Sequence, residues 1–149
     1  MKQIVNLFVL LSLVVLVGCS RGDGNVFVTG EVRHKGELLS GATIIFSIEG
    51  GSGENAGGVT DDNGRFVLTS ATGNFGSGTK PGTYTVAITK RDEIWDGRSY
   101  VYSPGSEEPV RNTRAVDILP REYGNPMQTP LRATVTSNTA DNVFNFDIP

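Results

Sequence analysis

Residues Pro81-Gly82-Thr83-Tyr84-Thr85-Val86-Ala87-Ile88-Thr89 contain the clearest strand pattern in the chain. Tyr84, Val86 and Ile88 alternate with threonines and an alanine, so one face of an extended segment is apolar and the other is mostly polar. Pro81-Gly82 precedes this run and suits a turn, because proline fixes φ and glycine accepts turn conformations. The stretch therefore predicts a half-buried β-strand that begins directly after a turn.

The same period of two recurs on both sides of this strand. It covers residues 26–32, 42–48 and 65–69 before it, and residues 131–135 and 143–148 after it. We expect the last two segments to pair with each other as a closing hairpin. With about seven strands and no convincing amphipathic helix, the pattern predicts an all-β protein, a two-sheet antiparallel sandwich. The predicted core between the sheets consists of Ile44, Phe46, Phe66, Leu68, Tyr84, Val86, Ile88, Val135, Phe144 and Phe146.

Composition agrees with this fold class and excludes one class of partner. The chain of 149 residues contains 19 glycines and 7 prolines, which favour short strands joined by turns. The formal net charge is −3 at pH 7. This mild acidity argues against a nucleic-acid partner, since binding to phosphates needs a basic face. Residues 26–149 have the length of a single domain.

The first nineteen residues have the features of an export signal. Lys2 precedes an apolar run over residues 4–17, which is too short to cross a hydrocarbon core of ~30 Å but has the length and flanks of a secretory signal. The run ends at Gly18-Cys19, and Cys19 is the only cysteine of the chain. This ending resembles the bacterial lipoprotein signal, in which the peptide is cut in front of the cysteine and the thiol is acylated.

This resemblance implies a signal peptide over residues 1–18 and a lipid-anchored, flexible linker over residues 19–25. A lone unmodified thiol would be a liability in an oxidising compartment, and several acyl chains anchor a protein more firmly than one. We therefore expect Cys19 to attach the protein to a membrane of the cell envelope, on the extracytoplasmic side. Ser20 after the cysteine favours the outer membrane over the inner membrane. The alternative is a plain signal peptide or a single anchor helix with an incidental cysteine.

Three motifs in the first half of the domain resemble a known family. The first runs from Gly30-Glu31-Val32 to residues 36–46 (GELLSGATIIF), the second is GVTDDNGRF at residues 58–66, and the third is PGTYTV at residues 81–86. In this order they are similar to the motifs of carboxypeptidase regulatory-like domains. The tail, residues 118–147, resembles the end of small bacterial lipoproteins of this group.

The resemblance implies a transthyretin-like (prealbumin-like) β-sandwich of about seven strands. Such domains carry no peptidase activity, so the resemblance implies neither a catalytic residue nor a cofactor. The motifs are mainly turn and core positions, which mark a fold rather than a ligand. We therefore expect a non-catalytic structural or scaffold module of the cell envelope.

The chemistry-bearing residues give little support for catalysis or for a metal site. His34 is the only histidine, whereas a zinc site needs several ligands and a serine nucleophile needs a base beside it. Asp61-Asp62-Asn63-Gly64 superficially resembles a calcium loop, but strand residues occupy the stretch where a ligand glutamate is needed. We expect a hairpin turn here, in which the Asp61 side chain accepts hydrogen bonds from backbone N–H groups.

Residues 90–128 do not fit the period of two. A connection of this length in a small domain is often functional or disordered, and its aromatic content argues against full disorder. Because Trp, Tyr and Arg are enriched in binding hot spots, the candidate binding residues are Trp95, Arg98, Tyr100 and Tyr102. Their candidate ligand is an envelope glycan or protein. The alternative is that these aromatic residues cover one end or edge of the sandwich.

Overall fold

The structure is a computed structural model that describes residues 24–50, 54–101, 104–105 and 110–149. The predicted signal peptide, the lipidation candidate Cys19 and the candidate binding residue Tyr102 lie outside these residues. Within the described residues the chain forms eleven β-strands and two short 3-10 helices, Arg121–Gly124 and Thr139–Asp141. The strands are β1 (Thr29–His34), β2 (Glu37–Leu38), β3 (Thr43–Ile48), β4 (Ala56–Val59), β5 (Arg65–Val67), β6 (Thr69–Ser70), β7 (Gly82–Thr89), β8 (Arg91–Val101), β9 (Val110–Asp117), β10 (Arg132–Val135) and β11 (Val143–Ile148).

The strands are arranged in two sheets and a two-stranded ribbon. The first sheet has the order β11-β1-β2, with β5 also paired to β1, and the second has the order β10-β7-β3-β4-β6. Strands β8 and β9 pair with each other and form the ribbon. Among the described strands, pairing is antiparallel except between β1 and β11, which run parallel. The prediction of an all-β protein with two packed sheets is confirmed.

The inner faces of the two sheets enclose the predicted hydrophobic core. Nine of the ten predicted core residues are at most 7% exposed, and Phe144 is partly buried against them. Phe46 of β3 joins the two sheets, because its ring centroid lies 5.8 Å from that of Tyr84 in the same sheet and 6.4 Å from that of Phe66 in the other. The alternation of apolar residues therefore identified the buried face of each strand correctly.

The predicted closing hairpin is wrong. Strand β10 pairs with β7 in the second sheet, whereas β11 pairs with β1 in the first. The connection between them crosses from one sheet to the other, and the buried Asn142 holds it. The Asn142 side chain accepts a hydrogen bond from the Thr136 N–H at 2.9 Å and donates one to the Thr136 carbonyl at 2.9 Å. Strands of either sheet face the same core, so the period of two does not reveal their partners.

The turn at residues 61–64 has the predicted capping geometry. One carboxylate oxygen of Asp61 accepts hydrogen bonds from the N–H groups of Asn63 and Arg65, both at 2.9 Å. Gly64 has φ +69°, a left-handed conformation that glycine adopts without a steric penalty. The turn does not close a hairpin, however, because β4 belongs to the second sheet and β5 to the first. It carries the chain from one sheet to the other.

Residues 90–128 lack the period of two in the sequence, but the structure nevertheless forms strands there. This stretch contains β8, β9 and the 3-10 helix Arg121–Gly124. The described side chains of the ribbon are exposed, apart from the partly exposed Val116. Because the described side chains show no buried face at residues 91–95 and 113–117, no apolar alternation marks this part of the ribbon in the sequence. The predicted number of strands is too low for this reason, and because β2 and β6 are only two residues long.

The chain enters the sandwich and leaves for the ribbon at opposite ends of β7. At one end Val26 and Thr79 exchange backbone hydrogen bonds, with N–O distances of 2.8 and 3.1 Å, shortly before β7 begins. We call this the entry end. Strand β7 contains eight residues, so it spans about 25 Å at ~3.3 Å per residue. The ribbon begins at Arg91, directly beyond the other end of β7.

Candidate functional site

Three of the four candidate binding residues, Trp95, Arg98 and Tyr100, lie in a ribbon whose pairing is regular up to Trp95. The register pairs Arg91 with Asp117, Glu93 with Ala115 and Trp95 with Thr113. Side chains alternate along a strand, so these pairs share one face. The intervening pairs, Asp92 with Val116 and Ile94 with Arg114, share the other face.

Cross-strand polar contacts stabilise this part of the ribbon. Arg91 Nε lies 2.9 Å from the Asp117 carboxylate, and the Thr113 hydroxyl donates to the Glu93 carboxylate at 3.1 Å. The Ile118 N–H also donates to the Lys90 carbonyl at 2.9 Å, which extends the ladder toward the sandwich. Each exposed ion pair contributes at most about 1 kcal/mol. The ribbon is therefore held together mainly by its backbone ladder.

Among the described side chains of the ribbon, two large apolar ones are exposed. Trp95 is 38% exposed and Ile94 is 45% exposed. They are neighbours in β8, so they lie on opposite faces, and Arg114 is the cross-strand partner of Ile94. Tryptophan and arginine are among the residue types enriched in binding hot spots.

The structure places the other sequence candidates as follows. The backbone of Arg98 and Tyr100 belongs to β8, and Tyr100 pairs with Arg111 after an irregularity between Trp95 and Tyr100. Tyr102 lies outside the described residues. Trp95 is in a strand that pairs with β9, and its side chain is 38% exposed. A binding role and the alternative, in which these aromatic residues cover one end or edge of the sandwich, both stay predictions.

The base of the ribbon forms a cleft that sequence reasoning missed. The cleft has a volume of about 170 Å³, and Lys90, Arg91, Asp117, Arg121 and Asn125 are among the residues that line it. Lys90 Nζ lies 3.1 Å from the Asp92 carboxylate, and Arg91 is paired with Asp117. Several of the charged side chains that line the cleft thus already form ion pairs. The sequence carries no signal for it, because its residues come from both strands of the ribbon and from the 3-10 helix.

The polar residues that the sequence singled out for chemistry have structural contacts. His34 Nδ1 lies 3.2 Å from the Ile148 carbonyl at the end of the β1–β11 pair. Asp61 caps its own turn. In the described ranges, no three His, Cys, Asp or Glu side chains come together in a group that could hold a metal ion.

The described part of the chain also contains no helix with the length and hydropathy needed to span a membrane. The lipidation candidate Cys19 precedes the first described residue, Gly24. No protein-family model, curated protein or solved structure matches the chain.

Proposed function

We propose that the protein is a non-catalytic lipoprotein of the cell envelope, anchored by lipidated Cys19 on the extracytoplasmic side, preferentially at the outer membrane. In this proposal the β-sandwich is a scaffold, and the β8–β9 ribbon is a recognition element for an envelope glycan or protein. The observation that carries the proposal is the exposure of Trp95 and Ile94 on a ribbon that forms its own two-stranded sheet.

The side chains of the ribbon support a role in binding. A tryptophan offers a large, rigid surface with one polar N–H group, which suits both the flat face of a sugar ring and a protein pocket. Truncation of such residues in interfaces commonly costs 2 kcal/mol or more (~30-fold in affinity). Ile94 and Arg114 place an apolar and a cationic side chain on the other face of the ribbon. The ribbon could therefore engage a partner from either side.

The position of the ribbon supports the same role. It leaves the sandwich beyond the end of β7 that is opposite the entry end, about 25 Å away at ~3.3 Å per residue. A lipid anchor at Cys19 would hold the entry end near the membrane, since few residues separate Cys19 from Gly24. The ribbon would then extend away from the membrane, where other envelope components can reach it.

We further propose that the domain is related to carboxypeptidase regulatory-like domains, with a transthyretin-like sandwich. The structural use of the three motifs supports this relation. Phe46 from the first motif and Tyr84 from the third are buried in the core, and Gly64 from the second has the positive φ that its turn requires. The structural contacts of His34 and Asp61 support a function without catalysis.

A Trp95→Ala substitution in the full-length lipoprotein tests the recognition role. Binding to isolated envelope glycan and to proteins of an envelope extract should weaken by at least ~30-fold, as for a hot-spot truncation. Thermal stability should change little, because Trp95 is partly exposed on the ribbon. Met127→Ala is the matched control, since Met127 is 93% exposed and lies outside the ribbon; it should leave both quantities unchanged.

A different result would support a scaffold alone. If Trp95→Ala lowers the melting temperature by many degrees and leaves binding unchanged, Trp95 is a structural residue. In that case the ribbon has no recognition role through this side chain.

A further inference from the structure

Two exposed phenylalanines lie at the entry end of the sandwich. Phe75 is 90% exposed and Phe27 is 44% exposed. Phe27 directly follows Val26, which pairs with Thr79. Phe75 is in the loop of residues 71–78 that precedes the same pairing. An exposed phenylalanine ring is unfavourable in water, because its apolar surface is stabilised by burial.

The loop that carries Phe75 is held in one conformation by hydrogen bonds. The Gly76 N–H donates to the Thr69 hydroxyl at 3.0 Å, and the Ser77 N–H donates to the Asn74 carbonyl at 2.9 Å. Gly78 has φ +74°, and a Cβ at this position would overlap the Val26 carbonyl oxygen. Phe75 therefore lies in an ordered loop, and this loop packs against the chain segment at Val26.

The predicted anchor lies within a short distance of this loop. Cys19 and Gly24 are five residues apart, so an extended chain separates them by at most about 18 Å at ~3.6 Å per residue. A lipid on Cys19 would thus keep the entry end close to the headgroups of the bilayer. The short chain in front of Gly24 therefore keeps both phenylalanines within reach of the bilayer surface.

We infer that the entry end rests on the lipid surface, with Phe75 and Phe27 inserted at the boundary between headgroups and acyl chains. This inference rests on the anchoring of Cys19 in the proposed function. Side chains of this kind insert about 5–10 Å into the interface and strengthen the attachment provided by acyl chains. The contact would also fix the orientation of the domain, with the ribbon on the side away from the membrane.

The charged residues near the loop indicate whether the membrane contact requires anionic lipids. Lys80 is exposed just after the loop, and Glu54 accepts hydrogen bonds from the Thr72 hydroxyl at 2.9 and 3.0 Å. At the same end Arg132 forms an ion pair with Glu49, and Asp141 is exposed just before β11. These charges include no excess of cations, so they provide no net attraction to anionic lipids. Insertion should therefore occur in zwitterionic phosphatidylcholine and should depend little on salt.

Quenching by brominated lipids tests the inference. Trp95 is the only tryptophan, so the double variant Trp95→Phe/Phe75→Trp has a single fluorophore in the loop. The full-length, acylated variant is reconstituted into phosphatidylcholine vesicles with or without bromine on the acyl chains. We expect roughly half or more of its emission to be lost in brominated vesicles, as for a side chain ~5–10 Å inside the interface.

The matched control is Trp95→Phe/Met127→Trp. Met127 is 93% exposed, and it follows Asn125, which lines the cleft at the base of the ribbon. Its emission, and that of wild-type Trp95, should be the same in both kinds of vesicle. Equal quenching at positions 75 and 127, or no quenching at position 75, would overturn the inference.

The mass of each reconstituted sample separates this inference from the proposed function. An acylated chain without quenching at position 75 contradicts the lipid contact and leaves the anchor intact. A chain without acyl groups contradicts both. An emission at position 75 that depends on protein concentration and not on lipid would indicate a second copy on the adjoining groove lined by Ile45, Val59 and Val67, and would also overturn the inference.

Discussion

Phe46 and Phe66 show how single side chains connect the two sheets. Phe46 belongs to the second sheet and Phe66 to the first, and their ring centroids lie 6.4 Å apart. Phe66 is also stacked on Phe146 of β11, at a centroid distance of 6.3 Å. A tilted or stacked aromatic pair adds about 0.5–1.5 kcal/mol to the free energy gained from burial.

Truncation of Phe66 tests this packing. We expect Phe66→Ala to lower the free energy of unfolding by about 3–5 kcal/mol, because it removes a fully buried ring and leaves a cavity. Phe75→Ala is the matched control, since the same residue type is 90% exposed there, and it should change stability by less than about 0.5 kcal/mol in solution. Urea unfolding of both variants measures the difference. Similar losses for the two substitutions would contradict the assignment of Phe66 to the core.

Residues whose role is set by near neighbours could be predicted from the sequence. Phe66 was assigned to the core from the alternation of its strand, and Asp61 was assigned as a cap from the turn sequence that follows it. Asn142 was not predicted, although it is buried. Its role depends on the connection that crosses from one sheet to the other, and no local sequence pattern marks that crossing. In the sequence, an asparagine in a polar connection looks like an ordinary loop residue.

At the scale of elements, the sequence predicts where a strand with a buried face lies, but it does not predict which strand pairs with it. Strands β1, β3 and β7 each have one buried face, and this is the property that produces alternation in a sequence. The described side chains of the ribbon, at residues 91–95, 97 and 113–117, form no buried face, so the sequence pattern does not reveal these strands although it points to Trp95. The partners of β10 and β11 depend on which sheet each strand joins, and both sheets present the same apolar faces to the core.

Disulfide trapping tests the pairing of β11 with β1. Glu31 and Asn145 are Cα partners in this parallel pair, so Glu31→Cys/Asn145→Cys should form a disulfide, for which Cα atoms must be ~4.4–6.8 Å apart. The matched control is Ala133→Cys/Asn145→Cys, which would link β10 to β11 in the register of a hairpin with its turn over residues 136–142. Mass spectrometry of peptides after mild oxidation distinguishes the two pairs. A disulfide in the control and none in the first pair would contradict the observed topology.

At the scale of the whole molecule, the two ends of the sandwich have different surfaces. The entry end carries Phe27 and Phe75 and receives the chain from Cys19. The other end continues into the ribbon with Trp95. A rigid sandwich between a membrane contact and a recognition element would hold the ribbon at a fixed distance from the membrane. The five-stranded sheet, in which β7 connects the two ends, provides this rigidity.

Attachment at Cys19 is the central claim, because the orientation of both ends depends on it. A Cys19→Ser variant should be released from the membrane or mislocalised, since the substitution removes the thiol that carries the lipid. The wild-type protein extracted from membranes provides the direct measurement, which is its intact mass. The account predicts a chain that starts at Cys19 and carries the additional mass of acyl groups. Recovery of soluble protein with a free, unmodified Cys19 would contradict it.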